Sequence, residues 1–193
     1  MTVWHWVRHG PTHERAFVGW RDVPADLSDT AALGRLRDHL PERALLVSSD
    51  LLRASATADA IAGDGHDRLP HEADLREFDF GDWDGLHFTE VAERDPDLSR
   101  TYWEAPGDVA PPAGESWNAA ARRIDAAVAR LNRRYPASHI IAVAHIGTIL
   151  TQVRRALGET HVETIARKID NLSVTEIRWQ GATGQVTRIN HCP

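Results

Sequence analysis

Cysteine is nearly absent from this chain, which contains the single residue Cys192. One cysteine cannot form an intramolecular disulfide framework, and it cannot build a zinc site that needs several thiolates. Chains without disulfides are typical of reducing compartments. We therefore predict a cytoplasmic protein that is stabilised by its core, without covalent cross-links.

Long hydrophobic runs and an excess of basic residues are also missing. No window approaches 18 consecutive apolar residues, and the stretch from Met1 to Arg8 lacks the basic start and apolar run of a signal peptide. The 22 lysine and arginine residues are outnumbered by 28 acidic residues, so the formal net charge is −6. A general nucleic-acid-binding protein usually has a basic face. The sequence thus predicts neither a membrane nor a nucleic acid as partner, and it leaves the oligomeric state open.

What is present is an ordinary globular composition, with 42% hydrophobic and 26% charged residues in 193 positions. This length is typical of one domain, so we expect a single domain over residues 1–193. Hydrophobic patterns predict strands at 2–7, 44–48, 140–144, 172–179 and 185–190, with a weak strand near 68–72. Helices are predicted at 29–40, 51–62, 116–134 and 148–157, with short helices at 87–95 and 97–104. The helix at 51–62 is expected to be capped by Ser49 or Asp50.

The alternation of strands and helices predicts an α/β fold, a three-layer sandwich with a mostly parallel central sheet and helices on both faces. Residues at about 75–115 interrupt this alternation, because they are acidic, aromatic and rich in glycine and proline. A segment of this kind is more typical of a functional insertion than of a linker. We expect it to cover a site.

Two predicted strands end in the same way. The first runs into Arg8-His9-Gly10 and the second into His145-Ile146-Gly147. Ligands of open parallel sheets bind at the carboxyl ends of the strands, where glycine allows close approach and helix amides favour an anion. Two histidines at such ends would face one pocket.

Two arginines point to the same kind of ligand. Arg53 falls in the first turn of a predicted helix, where a cation opposes the helix dipole, and Arg8 lies beside His9. A bound anion would offset that unfavourable placement. The planar guanidinium suits phosphate because it donates two hydrogen bonds at once.

An acidic stretch over residues 75–85 supplies candidates for a general acid. A carboxyl group beside aromatic side chains is desolvated, and desolvation favours its protonated form. Several carboxylates compete here, and their spacing alone does not choose among them.

Taken together, these blocks resemble the histidine phosphatase superfamily, whose fold is phosphoglycerate-mutase-like. The resemblance runs in family order from residue 3 to about 150, which is most of the chain. The matching blocks are Arg8-His9-Gly10-Pro11-Thr12, Gly19-Trp20-Arg21-Asp22-Val23-Pro24, Ser49–Ala58, the acid block with Leu75, Glu77, Gly81, Trp83, Asp84 and Gly85, then Gly114-Glu115-Ser116 and Val143-Ala144-His145.

The resemblance implies a role for each candidate residue. His9 is the implied nucleophile that becomes phosphohistidine. Arg8, Arg53 and His145 are the implied phosphate-binding group, and Glu77 is the implied proton donor to the leaving oxygen. Imidazole is a competent nucleophile, and phosphoryl transfer depends mainly on positioning and charge stabilisation. The expected reaction needs no metal and no cofactor.

The chain departs from the family pattern at three places. Pro11 replaces the usual Glu or Gln, the Asn that often follows is missing, and the frequent His-Gly-Gly is His145-Ile146-Gly147. These changes concern contacts with the rest of the substrate. Residues predicted to line the substrate pocket are Thr12, His13, Trp20 and Trp83, and an aromatic wall would suit a nonpolar or ring portion.

The leading interpretation is a phosphomonoesterase acting on a small phosphorylated metabolite. One alternative is a phosphoglycerate-type mutase, which is disfavoured because the segment between Glu77 and Gly114 has no lysine and only Arg94 and Arg100. The other is a non-catalytic phosphate-binding domain on the same fold, which would usually lack the nucleophile or the arginines. A metal site on His5, His9 and His13 is not expected, because Gly10-Pro11 breaks any helix that would align them.

Overall fold

The computed structural model describes all 193 residues and contains one six-stranded sheet. The strands are β1 (Thr2–Arg8), β2 (Ala44–Ser48), β3 (His66–Arg68), β4 (His139–Ala144), β5 (Val174–Gln180) and β6 (Thr183–His191). Their order across the sheet is β3-β2-β4-β1-β5-β6. β5 is antiparallel to both neighbours and all other pairs are parallel, so five of the six strands run in one direction. The predicted α/β fold with a mostly parallel sheet is confirmed.

Seven α-helices connect or flank the strands. They are α1 (Thr30–His39), α2 (Leu52–Ile61), α3 (Phe88–Arg94), α4 (Pro96–Glu104), α5 (Trp117–Arg134), α6 (Ile146–Leu157) and α7 (His161–Ile165). Short 3₁₀ turns lie at Ala73–Leu75 and Gly81–Trp83. None of the helices combines the length and the hydrophobicity needed to cross a bilayer.

The two faces of the sheet carry separate hydrophobic clusters. Along β4, Ile140, Ala142 and Ala144 join a cluster with α5 and α6, whereas Ile141 and Val143 join a cluster with α1 and α2. This division follows from the two-residue period of a strand, which sends alternate side chains to opposite faces. Because β4 is covered on both sides, its sequence is a continuous hydrophobic run, as expected of a central parallel strand.

Most element ends differ from the sequence predictions by one or two residues, as at β5 and β6, and three differences have a clear physical reason or bear on the site. β3 spans His66–Arg68 instead of 68–72, since Pro70 has no N–H to donate to the sheet. α6 begins at Ile146, two residues earlier than predicted, directly after His145. α7 was not predicted, because five residues are too short to show an apolar period, although Thr160 and Glu163 form a capping box at its start.

A buried histidine on β1 makes the stability of this sheet depend on pH. His5 Nε2 lies 3.0 Å from Nδ1 of His139, and His5 Nδ1 lies 3.7 Å from the carboxylate of Glu176. Burial lowers the pKa of His5 from 6.5 to about 4, and attraction by Glu176 offsets only part of this shift. The unfolded chain therefore binds more protons than the folded chain between these two values. The stability is fully present above the unfolded pKa and is lost as the pH falls towards 4, by at most about 3 kcal/mol.

We expect His5→Gln to lose less of its unfolding free energy than the wild-type chain between about pH 7 and about pH 4.5. Glutamine keeps a polar group beside His139 but cannot take up the proton. The measurement is denaturant-induced unfolding at both pH values, with His13→Gln as control because His13 is exposed. An identical pH dependence in wild type and His5→Gln would contradict this role for His5.

Candidate active site

The two strand-end histidines lie side by side at one edge of the sheet. β1 and β4 are parallel neighbours in which Arg8 is paired with Ala144, so His9 and His145 follow at the same level. The amide of His9 donates to the carbonyl of Ala144 at 3.0 Å, and the two imidazole centroids are 5.1 Å apart. Both side chains are buried.

The hydrogen bonding of His9 leaves one ring nitrogen free. Its Nδ1 lies 2.7 Å from the carbonyl oxygen of Gly10, which can only accept, so Nδ1 carries the proton. Burial lowers the pKa of His9 to about 3, helped by the charges of Arg53 and Arg8 and opposed by the Gly10 bond. The imidazole is therefore neutral near pH 7, and its Nε2 keeps a lone pair for attack.

His145 is buried with no hydrogen-bond partner for either ring nitrogen. Burial, followed by the charges of His9 and nearby arginines, holds its pKa well below the usual 6.5. A buried polar group without a partner costs roughly 1–3 kcal/mol, so such groups are rare unless a ligand or water satisfies them. A phosphoryl oxygen beside His9 would supply the missing acceptor.

The buried Arg53 and the partly buried Arg8 face this edge without any ion pair to a carboxylate. Arg8 donates to the carbonyl of Ile169 at 2.6 Å, and its Nε has no partner. Arg53 is 1% exposed and donates to the carbonyls of Gly19 and Arg21 at 2.7 and 3.0 Å. Neutral carbonyls orient a guanidinium without neutralising it. The positive charge stays available to an anion, whose binding would offset the desolvation cost.

The loop that holds Arg53 is itself anchored by two aspartates. Asp84 accepts from the amides of Gly19 and Arg21, which fixes the carbonyls that Arg53 contacts. Asp22 accepts from the amide of Leu52 at 2.7 Å and so caps α2 from outside the helix. The predicted cap at Ser49 or Asp50 is wrong.

The N-cap residue of α2 is Leu51, whose apolar side chain makes no capping hydrogen bond. Asp50 instead forms a bidentate pair with Arg76, while Ser49 Oγ accepts from the Leu51 amide at 3.3 Å. Because the helix start is capped by a residue 30 positions away, local sequence alone did not identify it.

Glu77 is the acid that belongs to this cluster. It is buried, and its two carboxylate oxygens accept from the amides of Phe78 at 3.0 Å and Gly147 at 3.1 Å. Burial raises its pKa above the usual 4.5, although those amides and the charges of Arg53 and Arg8 oppose the shift. The early start of α6 is what brings the Gly147 amide to this carboxylate.

Glycine is required at position 147 by close approach. A Cβ atom there would lie 2.3 Å from Glu77 Oε1 and 3.1 Å from the ring of Phe78. The neighbouring acids Asp79 and Asp82 bond to groups outside the catalytic cluster. Asp79 accepts from the amide of Gly81, and Asp82 is an exposed partner of Arg94.

Several supporting residues were not predicted as part of the site. Thr57 Oγ1 accepts from the Gly10 amide at 2.9 Å and donates to the Arg53 carbonyl at 2.6 Å, which joins the His9 turn to α2. Asn171 donates to the His9 carbonyl at 2.7 Å. Each acts through a single long-range hydrogen bond, which leaves no periodic signal in the sequence.

A salt bridge holds the acid segment from behind. Arg123 on α5 pairs with Glu115 through two hydrogen bonds of 2.9 and 2.7 Å, and it also donates to the Glu77 carbonyl at 3.2 Å. Glu115 accepts from the Asp79 amide at 3.1 Å. The Gly114-Glu115-Ser116 block therefore positions the backbone around Glu77, and Ser116 caps α5.

The four predicted pocket residues have different locations. Trp20 is 37% exposed and donates from Nε1 to the Glu77 carbonyl at 2.9 Å, so it lies beside the acid. Thr12 is half-buried, and its contact with substrate stays a prediction. His13 is exposed and contacts Asp26 at 2.8 Å, not the cluster.

The prediction that Trp83 lines the pocket is wrong. Its side chain is fully buried in a third hydrophobic cluster with Val91 and Tyr102, and its Nε1 donates to Asp95 at 2.8 Å. Trp83 packs edge-on against Tyr102, with ring centroids 5.3 Å apart. It therefore supports the segment of residues 75–115 from within.

No three His, Cys, Asp or Glu side chains of the chain are grouped as ligands of one metal ion. His5, His9 and His13 diverge, because His5 contacts His139 and His13 contacts Asp26. The positive charge at the site comes from Arg8 and Arg53.

Known proteins share both the sequence pattern and the fold. The sequence profile of the histidine phosphatase superfamily (branch 1) matches residues 5–191. The bifunctional protein Rv2228c of Mycobacterium tuberculosis is 34% identical over 168 residues, which are 86% of this chain and 44% of that protein. The chain thus spans less than half the length of this relative.

Two solved structures are similar over nearly the whole chain. YhfR of Bacillus stearothermophilus has a TM-score of 0.90 and 26% identity, covering 100% of this chain and 98% of that one. Mycobacterial glucosyl-3-phosphoglycerate phosphatase, in a complex with VO3, has a TM-score of 0.84 and 26% identity, covering 98% of each chain.

Proposed function

The chain belongs to the histidine phosphatase superfamily, and from this membership we propose that it is a phosphomonoesterase that hydrolyses a small phosphorylated metabolite through a phosphohistidine at His9. One observation carries the proposal. A neutral imidazole with a free Nε2 lies beside the buried Arg53 and the partly buried Arg8, neither of which has a carboxylate partner. This combination suits a phosphate dianion and a nucleophile for it.

In the first step, the lone pair on His9 Nε2 attacks phosphorus and forms an N–P bond. The ester P–O bond breaks, and its electron pair stays with the leaving oxygen. Glu77 donates its proton to that oxygen, so the alcohol leaves neutral. Arg8, Arg53 and His145 stabilise the charge on the three phosphoryl oxygens, which is the main requirement of phosphoryl transfer.

In the second step, water attacks the phosphohistidine. The Glu77 carboxylate accepts a proton from the water as the new P–O bond forms. The N–P bond breaks, its electron pair returns to Nε2, and inorganic phosphate is released. The same carboxyl group thus acts first as acid and then as base.

The mutase alternative is disfavoured by the cations of the covering segment. A mutase must hold a second anionic group while the phosphoryl group moves. Arg94 pairs with Asp82 and Asp95, and Arg100 pairs with Asp97. Both arginines are therefore already paired with carboxylates of their own segment. A non-catalytic phosphate-binding role is disfavoured because the nucleophile, both arginines, the second histidine and the acid are all present.

The proposal is tested by phosphate release from an aryl phosphate such as p-nitrophenyl phosphate. We expect turnover by the purified chain, unchanged after exhaustive treatment with a chelator, because Arg8 and Arg53 supply the positive charge that a metal would otherwise provide. Phosphate release is measured before and after chelation, and again after each divalent metal is added back. Activity that disappears on chelation and returns only with a metal would contradict the metal-independent mechanism.

A further inference from the structure

An apolar cavity lies against Glu77, under the segment that covers the site. Its volume is about 180 Å³. Its wall is formed by the acid segment, α4, the chain that follows α4, the first turns of α5 and α6, and the end of α7. The lining residues are Glu77, Phe78, Phe80, Tyr102, Trp103, Pro106, Gly107, Val109, Trp117, Ile146, Gly147, Leu150 and Ile165.

Few polar side chains line the cavity. Glu77 is its one ionisable acid, Tyr102 carries its one hydroxyl, and no lysine, arginine or histidine is among the lining residues. The nearby cation Arg123 is held by Glu115 and by backbone carbonyls. An anion placed here would lose its hydration without gaining a cationic partner, which is strongly unfavourable, and a cation would find no carboxylate except Glu77, which the proposed reaction needs as its acid.

The cavity adjoins the carboxyl group that acts as the acid in the proposed reaction. Glu77 belongs both to the wall and to the catalytic cluster, and its carboxylate is bonded to the amide of Gly147, which also lines the wall. Ile146 directly follows His145 in the chain. A group attached to the oxygen that Glu77 protonates therefore has this cavity beside it.

The size of the cavity limits what fits. An engineered protein cavity of roughly 150 Å³ holds benzene. A volume of about 180 Å³ is thus suited to one six-membered ring or a branched alkyl group of similar size. Neither a small anion nor a nucleotide fits the size and apolar lining of this cavity.

We propose that this cavity binds the alcohol portion of the substrate, and that the substrate class is phosphate monoesters of uncharged, predominantly apolar alcohols of about one ring in size. This inference rests on the proposed function. Ile146, Leu150 and Ile165 supply the aliphatic contacts, and Trp103 supplies an aromatic one. Burial and the nearby carboxylates of Glu77 and Glu115 raise the pKa of Tyr102, so its hydroxyl stays a donor for one polar substituent on the ring.

The test uses three esters with the same leaving oxygen. They are cyclohexylmethyl phosphate and its 4-carboxy and 4-aminomethyl derivatives, in which the charge is remote from the reacting bond. We expect kcat/KM for the uncharged ester to exceed that of both charged esters by at least about tenfold. Equal values for the three esters would overturn the inference.

Matched variants on one helix locate the effect. Ile165→Ala enlarges the cavity and is expected to reduce the preference for the uncharged ester by about tenfold. Val162→Ala removes a side chain from the same helix that is 55% exposed and outside the wall, and the preference should be unchanged. Trp103→Ala provides a second test, since Trp103 is 42% exposed and its loss leaves the main core intact.

The outcomes separate the two proposals. Hydrolysis of p-nitrophenyl phosphate without any preference among the three esters overturns the cavity assignment and leaves the phosphatase function standing. A preference that neither Ile165→Ala nor Trp103→Ala changes also overturns it. Absence of hydrolysis with every ester, the aryl phosphate included, overturns the phosphatase proposal itself.

Discussion

Replacing His9 by alanine is expected to reduce the hydrolysis of every phosphate ester to background, a loss of roughly 10⁴-fold or more. The substitution removes the Nε2 lone pair that forms the N–P bond, so no covalent intermediate can arise. It leaves the hydrogen bonds that orient Arg8 and Arg53 in place, because these are made to the carbonyls of Ile169, Gly19 and Arg21 and not to the His9 side chain. Phosphate binding should therefore survive the loss of turnover.

The measurement has two parts. Rapid quenching of the wild-type chain with labelled substrate should trap the label on the protein, and mass spectrometry should locate it at His9. The same experiment on His9→Ala should yield no labelled protein, while binding of inorganic phosphate is retained. His13→Ala is the control, because His13 is nearby in sequence but exposed and bonded to Asp26. Labelled protein from His9→Ala, or label on another residue of the wild type, would remove His9 from its proposed role.

The arrangement around His9 could be predicted in outline because it follows from strand order and periodicity. The continuous apolar run of β4 and the strand-His-Gly pattern placed His9 and His145 at strand ends. The structure puts those ends on adjacent parallel strands. Arg53 can be recognised from its unfavourable local placement, which puts a cation in the first turn of a helix.

What could not be predicted depends on contacts between distant residues. Nothing near Arg53 in the sequence indicates that carbonyls of Gly19 and Arg21 would hold it, or that Asp84 would hold those carbonyls. The burial of Trp83 likewise depends on how α3 and α4 fold over it. An aromatic residue beside acids has the same local pattern whether it lines a pocket or fills a core.

The choice among the acids shows the same limit. Spacing left several carboxylates open, and only the resemblance to the family favoured Glu77. In the fold, Glu77 is the acid that is buried against the helix start after His145, while Asp82 pairs with Arg94 at the surface. Its raised pKa keeps a larger fraction protonated near neutral pH than an exposed carboxyl group would have.

Replacing Glu77 by glutamine should therefore slow phosphoenzyme formation in a manner that depends on the leaving group. An alkoxide is a poor leaving group, so the alkyl ester needs the proton as its P–O bond breaks, and the expected loss is about 10²–10⁴-fold. An aryl oxide leaves well as an anion, and its loss should be far smaller. The measurement is single-turnover transfer to the enzyme from an alkyl and an aryl phosphate.

The ratio between the rate losses for the alkyl and the aryl ester distinguishes a catalytic role of Glu77 from a purely structural one. Glutamine would place an amide NH₂ against the backbone N–H of Phe78 or Gly147, and any resulting shift would slow both substrates together. A selective loss with the alkyl ester follows only from a missing proton donor. Asp79→Asn and Asp82→Asn are the controls, since these acids lie in the same segment but bond to Gly81 and Arg94. Equal slowing of both esters by Glu77→Gln would remove Glu77 from the acid role, and a selective defect in either control would transfer that role to the neighbour.

In the wild type, the rate of transfer from the alkyl ester should also fall as the pH rises through the pKa of Glu77, because only the protonated acid can donate. This fall in rate at high pH should be absent from Glu77→Gln.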